Sequence, residues 1–192
     1  MIKSEIVQLG TMLSKVKYGP YLKAKTEGSV RYLRGQDFSD HDLLINDGKG
    51  FVNVENHDSN KDLLEEGQVI LAAKGFRNFA WAYSGDAGEC IASSMFFVLS
   101  VNSNLIDPRY LSIYLNSQKV KRRLLSLGAG TSLPTLPRKE LLALEISVPP
   151  FLMQQRVIRL RELQKERSKI QQSIQSAEHL LDSAIIENIL NQ

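Results

Sequence analysis

FLMQQRVIRLRELQKERSKIQQSIQSAEHLLDSAIIENIL, residues Phe151–Leu190, decides how the rest of the chain is read. No Pro or Gly interrupts it. From Leu160 a three-then-four spacing runs through Leu163, Arg167, Ile170, Ile174, Ala177, Leu181, Ala184 and Asn188. That is the heptad pattern of a coiled coil rather than the stripe of a compact-domain helix. A continuous helix of this length extends about 60 Å, well beyond a small domain, so its apolar seam needs a partner helix.

The charges along the helix indicate which partner. Its first half carries Arg156, Arg159, Arg161, Lys165, Arg167 and Lys169 against Glu162 and Glu166; its second half carries Glu178, Asp182 and Glu187 and no cation. This order opposes the helix macrodipole, which favours acids first and bases last. Two copies running antiparallel lay each basic half along an acidic half, whereas a parallel pair sets like beside like. In one such register Leu163 faces Leu181, Ile170 faces Ile174, Leu160 faces Ala184, and Arg167 faces Ala177 beside Glu178. An antiparallel homodimer is therefore expected, in preference to one helix folded back on its own domain.

The chain has 192 residues, 43% of them hydrophobic, enough for one globular domain over residues 1–150 followed by the dimerisation helix over 151–192. A single cysteine, Cys90, excludes an internal disulfide framework, and its place in an apolar run marks a buried small residue rather than a nucleophile. Met1-Ile-Lys-Ser-Glu5 is charged at once, unlike a secretory signal, and no apolar run approaches the roughly 20 residues of a membrane span. A cytoplasmic protein is expected. With a net charge of +3, nucleic-acid binding is permitted by charge, and local clusters have to carry the argument.

Along the domain, Lys3 to Val16 reads as a short strand or helix, broken by Tyr18-Gly-Pro-Tyr21. Ser29 to Arg34 alternates as a strand should, placing Arg31 and Arg34 at an edge or face open to a partner, with a merely solvated strand face as the competing reading. Asp37, Asp40, His41, Asp42 and Asp47 fall in a polar, loop-like region whose spacing matches neither a calcium loop nor a zinc pattern, and no metal is expected. Gln68 to Ala73 is a buried-type strand, Phe79 to Tyr83 alternates cleanly, and the loop between them sets Lys74, Phe76, Arg77 and Asn78 at one tip. Cations, an amide and an aromatic are the side chains that reach phosphates and base edges. A solvated turn is the alternative.

Cys90 to Val101 reads as one core strand. Asp107-Pro108 is an N-cap followed by proline at the first helical position, and a second helix over Ser117 to Leu127 exposes Lys119, Lys121, Arg122 and Arg123, a candidate phosphate contact. The segment from Gly130 to Lys139 is rich in hydroxyls and prolines, which leaves Thr131, Ser132 and Arg138 to donate hydrogen bonds from a restrained backbone. A short helix over Arg138 to Leu142 and a strand over Leu144 to Val148 follow, and Pro149-Pro150 launches the long helix.

This order of parts resembles the specificity subunit of type I restriction-modification systems. The residues that carry the resemblance are Arg34-Gly-Gln-Asp37, Leu71-Ala-Ala-Lys-Gly75, Gly130-Thr-Ser132, Leu144-Glu-Ile-Ser-Val-Pro-Pro150, and Gln154 with Val157 at the head of the helix. Met153 stands where the family usually has a glutamate. The resemblance implies an α/β (α+β) fold, a mixed-sheet target-recognition domain followed by one coiled-coil helix. Family members of ordinary length carry two such domains and two antiparallel helices, each domain reading half of a split DNA site. This chain looks like a half-size form, whose homodimer restores the arrangement.

The partners implied are double-stranded DNA, a methyltransferase subunit that holds S-adenosylmethionine and, as a further candidate, a restriction subunit. The chain itself is expected to be no enzyme and to hold no cofactor. Val148-Pro-Pro-Phe151 superficially resembles the Pro-Pro-aromatic motif of amino-methyltransferases, but Val148 stands where a polar group must accept the target amino hydrogens. The expected DNA contacts are Arg31, Arg34, Lys74, Arg77, Asn78, Lys121, Arg122, Thr131, Ser132 and Arg138, with Arg77, Asn78, Thr131 and Ser132 in a groove. A coiled-coil scaffold that binds no DNA is the alternative.

Overall fold

A computed structural model describes residues 4–39, 44, 50–53, 61–128 and 133–190. The chain divides into two compact units, Met1–Gln154 and Gln155–Gln192.

The first unit opens with strand β1 (Glu5–Gln8), a 3-10 turn at Leu9–Met12, and strand β2 (Leu13–Tyr18). The segment read as a strand or a helix is thus two strands joined by a tight turn, whose Leu9 and Met12 are buried. Next come β3 (Val30–Leu33), β4 (Phe51–Val52), β5 (Gln68–Ala72), β6 (Ala80–Ala82), β7 (Cys90–Ala92) and β8 (Phe96–Val101). Three helices, α1 (Pro108–Leu115), α2 (Gln118–Leu127) and α3 (Arg138–Leu142), lead to β9 (Glu145–Val148) and to helix α4 (Phe151–Leu190).

The strands form three sheets. An antiparallel four-stranded sheet has the order β2-β8-β5-β6; a mixed sheet has the order β4-β3-β7, with β3 and β7 parallel; β1 pairs antiparallel with β9. The centre is β5 and β8, whose apolar run is buried on both faces as interior strands require. The single strand expected over Cys90 to Val101 is in fact two, in different sheets. Ser93 to Met95 makes the turn between them: the Ser93 N–H donates to Leu33 O and the Phe96 N–H to Ser93 O. Gly19 crosses this junction so closely that a Cβ there would sit 1.9 Å from Ala92 O, and no other residue fits.

Packing follows the pleat of β3. Leu33 points into a core with Phe38, Phe79 and Phe96, whose rings meet at tilted and edge-on angles 4.9 to 5.9 Å apart. Val30 and Tyr32 point the other way, into a smaller cluster with Val52 and Ile91. The Tyr32 hydroxyl is satisfied there, donating to Pro20 O and accepting from the Leu22 N–H.

Cys90 is wholly buried, and burial pushes its thiol up to about 11, with the Arg31 cation opposing the rise. Iodoacetamide at pH 8 should leave the native thiol unlabelled and modify it only after denaturation; rapid labelling of folded protein would show the site to be open.

Helix starts obey their local signals. The Asp107 carboxylate accepts from the Arg109 N–H at 2.8 Å, the cap expected beside Pro108. At the end of α1, Asn116 brackets Ala80 on the edge strand β6, accepting from its N–H at 2.8 Å and donating to its carbonyl at 2.7 Å. An edge strand presents an unpaired row of such groups, and this side chain satisfies one pair of them.

Gln154 ties the head of α4 to the domain. Gln154 is 1% exposed. Its Oε1 accepts from the Asp107 N–H at 2.8 Å, and its Nε2 donates to Pro149 O at 2.9 Å. The amide thus joins the start of α1, the proline pair and the first turn of α4.

In the second unit, α4 continues unbroken to Leu190. Leu160, Leu163, Ile170, Ile174 and Leu181 are each 45 to 61% exposed. Ile185 and Ile189, one residue beyond Ala184 and Asn188, are exposed as well, which widens the seam as a 3.6-residue turn drifts from a strict heptad. Among the described residues no helix is long and apolar enough to cross a membrane.

Candidate nucleic-acid interface

Two sequence segments some sixty residues apart are laced into one surface. After β5, the Ala73 carbonyl accepts from the Leu136 N–H at 2.7 Å, and the Gly75 N–H donates to Pro134 O at 2.8 Å. Lys74 and Thr135 form an antiparallel bridge between them. Gly128, at the end of α2, lies close against Thr135, so a Cβ there would meet the Thr135 nitrogen at 3.4 Å. The basic helix, the proline-rich segment and the β5–β6 tip therefore adjoin.

A third element joins them from the end of β2. Tyr18 stacks on Phe97 with ring centroids 4.2 Å apart, and the Lys74 ammonium lies 5.0 Å above the Tyr18 ring. Burial raises the Tyr18 hydroxyl above the ordinary phenol value, and the Arg138 cation partly offsets that rise. Lys74, Arg138 and a 40% exposed tyrosine thus share one patch.

The other expected contacts are placed differently. Asn78 is a correction: it is 6% exposed and its Nδ2 donates to Ala72 O at 2.7 Å, closing the turn from within. Arg77 is half-buried, its guanidinium donating to Phe38 O at 3.0 Å and to Gly35 O at 3.3 Å while lying 4.5 Å from the Phe79 ring. It fastens the β5–β6 tip to the loop after β3.

That loop is itself held by an ion pair. Arg34 donates from its guanidinium to both Asp37 carboxylate oxygens at 3.3 Å and from its backbone N–H at 2.7 Å. Asp37 is thereby a capping residue, while Asp40, His41, Asp42 and Asp47 lie outside the described residues. Arg31 is half-buried on β3, which is the middle strand of its sheet, so of the edge or face expected for it the edge is excluded. Thr131 and Ser132 lie outside the described residues.

On α2, Val120 and Leu124 face inward and Lys119, Arg122 and Arg123 are exposed, with Lys121 half-buried beside them. This is the amphipathic division that the sequence pattern required. Phe76 was noted as the aromatic of the tip, whereas Tyr18 and Met95 were not singled out as site residues. Tyr18 stood in a turn signal, and Met95 in a run read as continuous core strand; the pairing of β2 with β8 and the turn between β7 and β8 bring them to this surface.

No protein-family model and no curated protein sequence matches the chain. Solved structures do. An S subunit of a type I restriction-modification system from M. genitalium superposes with a TM-score of 0.64 at 16% identity, over 86% of this chain and 40% of that one. A chain from a structural study of complex assembly and conformational transition in the type I system gives 0.59 at 17% identity, over 90% of this chain and 47% of that one. The HsdS subunit from Thermoanaerobacter tengcongensis gives 0.53 at 17% identity, over 88% and 46%. The chain spans less than half the length of each of these structures. Its mixed α+β domain and the long helix that follows together have the fold of type I restriction-modification S subunits.

Proposed function

We propose that the chain is a sequence-reading specificity subunit of a type I restriction-modification complex. The observation that carries this reading is the likeness to S subunits over 86 to 90% of the chain, extending through the domain and into α4. The domain reads one half of a bipartite site. Two copies pair antiparallel through α4, and the assembly presents DNA to methyltransferase subunits and, in systems that cleave, to restriction subunits. Methyl transfer and S-adenosylmethionine belong to the methyltransferase partner; this chain contributes position and sequence choice.

Lys74 and Arg138 beside Tyr18, together with the cations of α2, support phosphate contacts from one continuous surface. Titration of the full chain into labelled duplex at increasing salt tests the reading: affinity should fall steeply and linearly on a log-log plot. Lys121→Ala should weaken selected and random duplexes alike and reduce the salt slope by about 1. A chain that dimerises and leaves duplex untouched at low salt supports the scaffold reading in its place.

A further inference from the structure

With Asn78 turned into its own turn and Arg77 fastened to Gly35 and Phe38, the large side chain that the β5–β6 tip sends outward is Phe76, 76% exposed. Gly75, immediately before it, holds φ at +101°, a conformation that side chains rarely adopt, so the tip is shaped to present the residue that follows. Beside Phe76 opens a cavity of about 150 Å³, walled by Phe79, Phe96, Met95 and Gly35. Its lining is almost wholly apolar; Lys74 and Arg77 stand at it, and among the described residues no carboxylate does. Met95 is itself 38% exposed.

An apolar recess bordered by cations suits a polyanion that carries a small apolar group. In the major groove of DNA the thymine C5-methyl is the base-edge group of that kind, and aromatic side chains contact it. The laced backbone of 73–75 and 134–136 fixes the tip, so the recess is presented without a large ordering cost. We propose that Phe76, with Met95 and the cavity beside them, is a thymine-methyl pocket that selects thymine at one position of the half-site. The inference rests on the DNA reading above and adds to it the base and the residue that reads it. Phosphates flanking that thymine are met by Lys74 and, past Tyr18, by Arg138.

The test separates the pocket from the reading it rests on. Duplexes are selected by the full chain from a randomised pool, and each thymine of the selected sequence is replaced singly by deoxyuridine, which removes only the methyl group. Wild-type protein should bind about four- to tenfold less tightly when one particular thymine is replaced, as loss of a single apolar carbon from a pocket predicts. Phe76→Ala, a change at an exposed tip that leaves the core intact, should bind the thymine and uracil duplexes equally at that position while keeping its salt dependence. A wild-type chain that binds duplex but discriminates thymine from uracil nowhere, or a Phe76→Ala variant that keeps the wild-type ratio, overturns the pocket and leaves DNA binding standing. Failure of wild-type protein to bind any duplex overturns both.

Discussion

If the chain dimerises through α4 as proposed, Ile170→Glu combined with Ile174→Glu should convert the dimer into monomer at micromolar concentration, leaving the domain folded. In the antiparallel register Ile170 packs on Ile174 of the partner subunit, so both substitutions fall on a contact that the symmetry repeats. Four isoleucines lose their burial, and four carboxylates meet in the middle of the seam. Even discounted for solvent, the loss is about 5 kcal/mol, or three to four orders of magnitude in the dimer dissociation constant. Glutamate keeps a high helix propensity, so the effect reports association and not the intrinsic helix.

Sedimentation equilibrium reads the result directly, and circular dichroism should lose helical signal in parallel, since much of a lone helix of this length frays without a partner. A wild-type chain that sediments as a monomer at high concentration removes the dimer from the proposal. The same holds if the doubly substituted chain still dimerises.

Gln154→Leu should destabilise the domain strongly. It leaves the Asp107 N–H and the Pro149 carbonyl, each part-buried, without the partner that the 1% exposed Gln154 provides. An unsatisfied buried polar group costs about 1–3 kcal/mol, so the pair places the loss near 3 kcal/mol and lowers the melting temperature by about 6 to 12 °C. Gln154→Glu supplies a sharper control. Its carboxylate still accepts from the Asp107 N–H but cannot donate to Pro149 O, and it introduces a charge close to Asp107; the protonated acid can donate. The Glu variant should therefore regain stability relative to wild type as pH falls from 8 toward 4, and Gln154→Leu should not. Equal pH profiles for the two variants would falsify the hydrogen-bond account.

Much of the fold was legible because its signals are local. The N-cap Asp107 with Pro108, the alternation after Phe79, the apolar run of β5, the helix over Arg138–Leu142 and the long α4 each announce themselves within a few residues. The division of Cys90 to Val101 was less visible, since two buried strands in succession have the composition of one and only Ser93-Ser94 marks the turn. The site was harder still. Arg77 and Asn78 have the chemistry of base-reading side chains, yet their direction depends on the carbonyls of Ala72, Gly35 and Phe38, the last two on a loop some forty residues earlier. Nothing in the spacing of a hairpin tip says which of its residues turn back. Tyr18 likewise became part of the surface only because β2 pairs with β8, setting its ring on Phe97.

The pairing of β1 with β9 sets Glu5 opposite Val148 and Gln8 opposite Glu145. Within this domain the first strand therefore has no neighbour until its last strand has been translated, and its exposed edge must wait. Closing so distant a pair comes late and slowly relative to the local helices. β9 ends at Val148 and α4 begins at Phe151, so the domain can be sealed only as the long helix starts to be made, and the pairing proposed for that helix follows a finished domain.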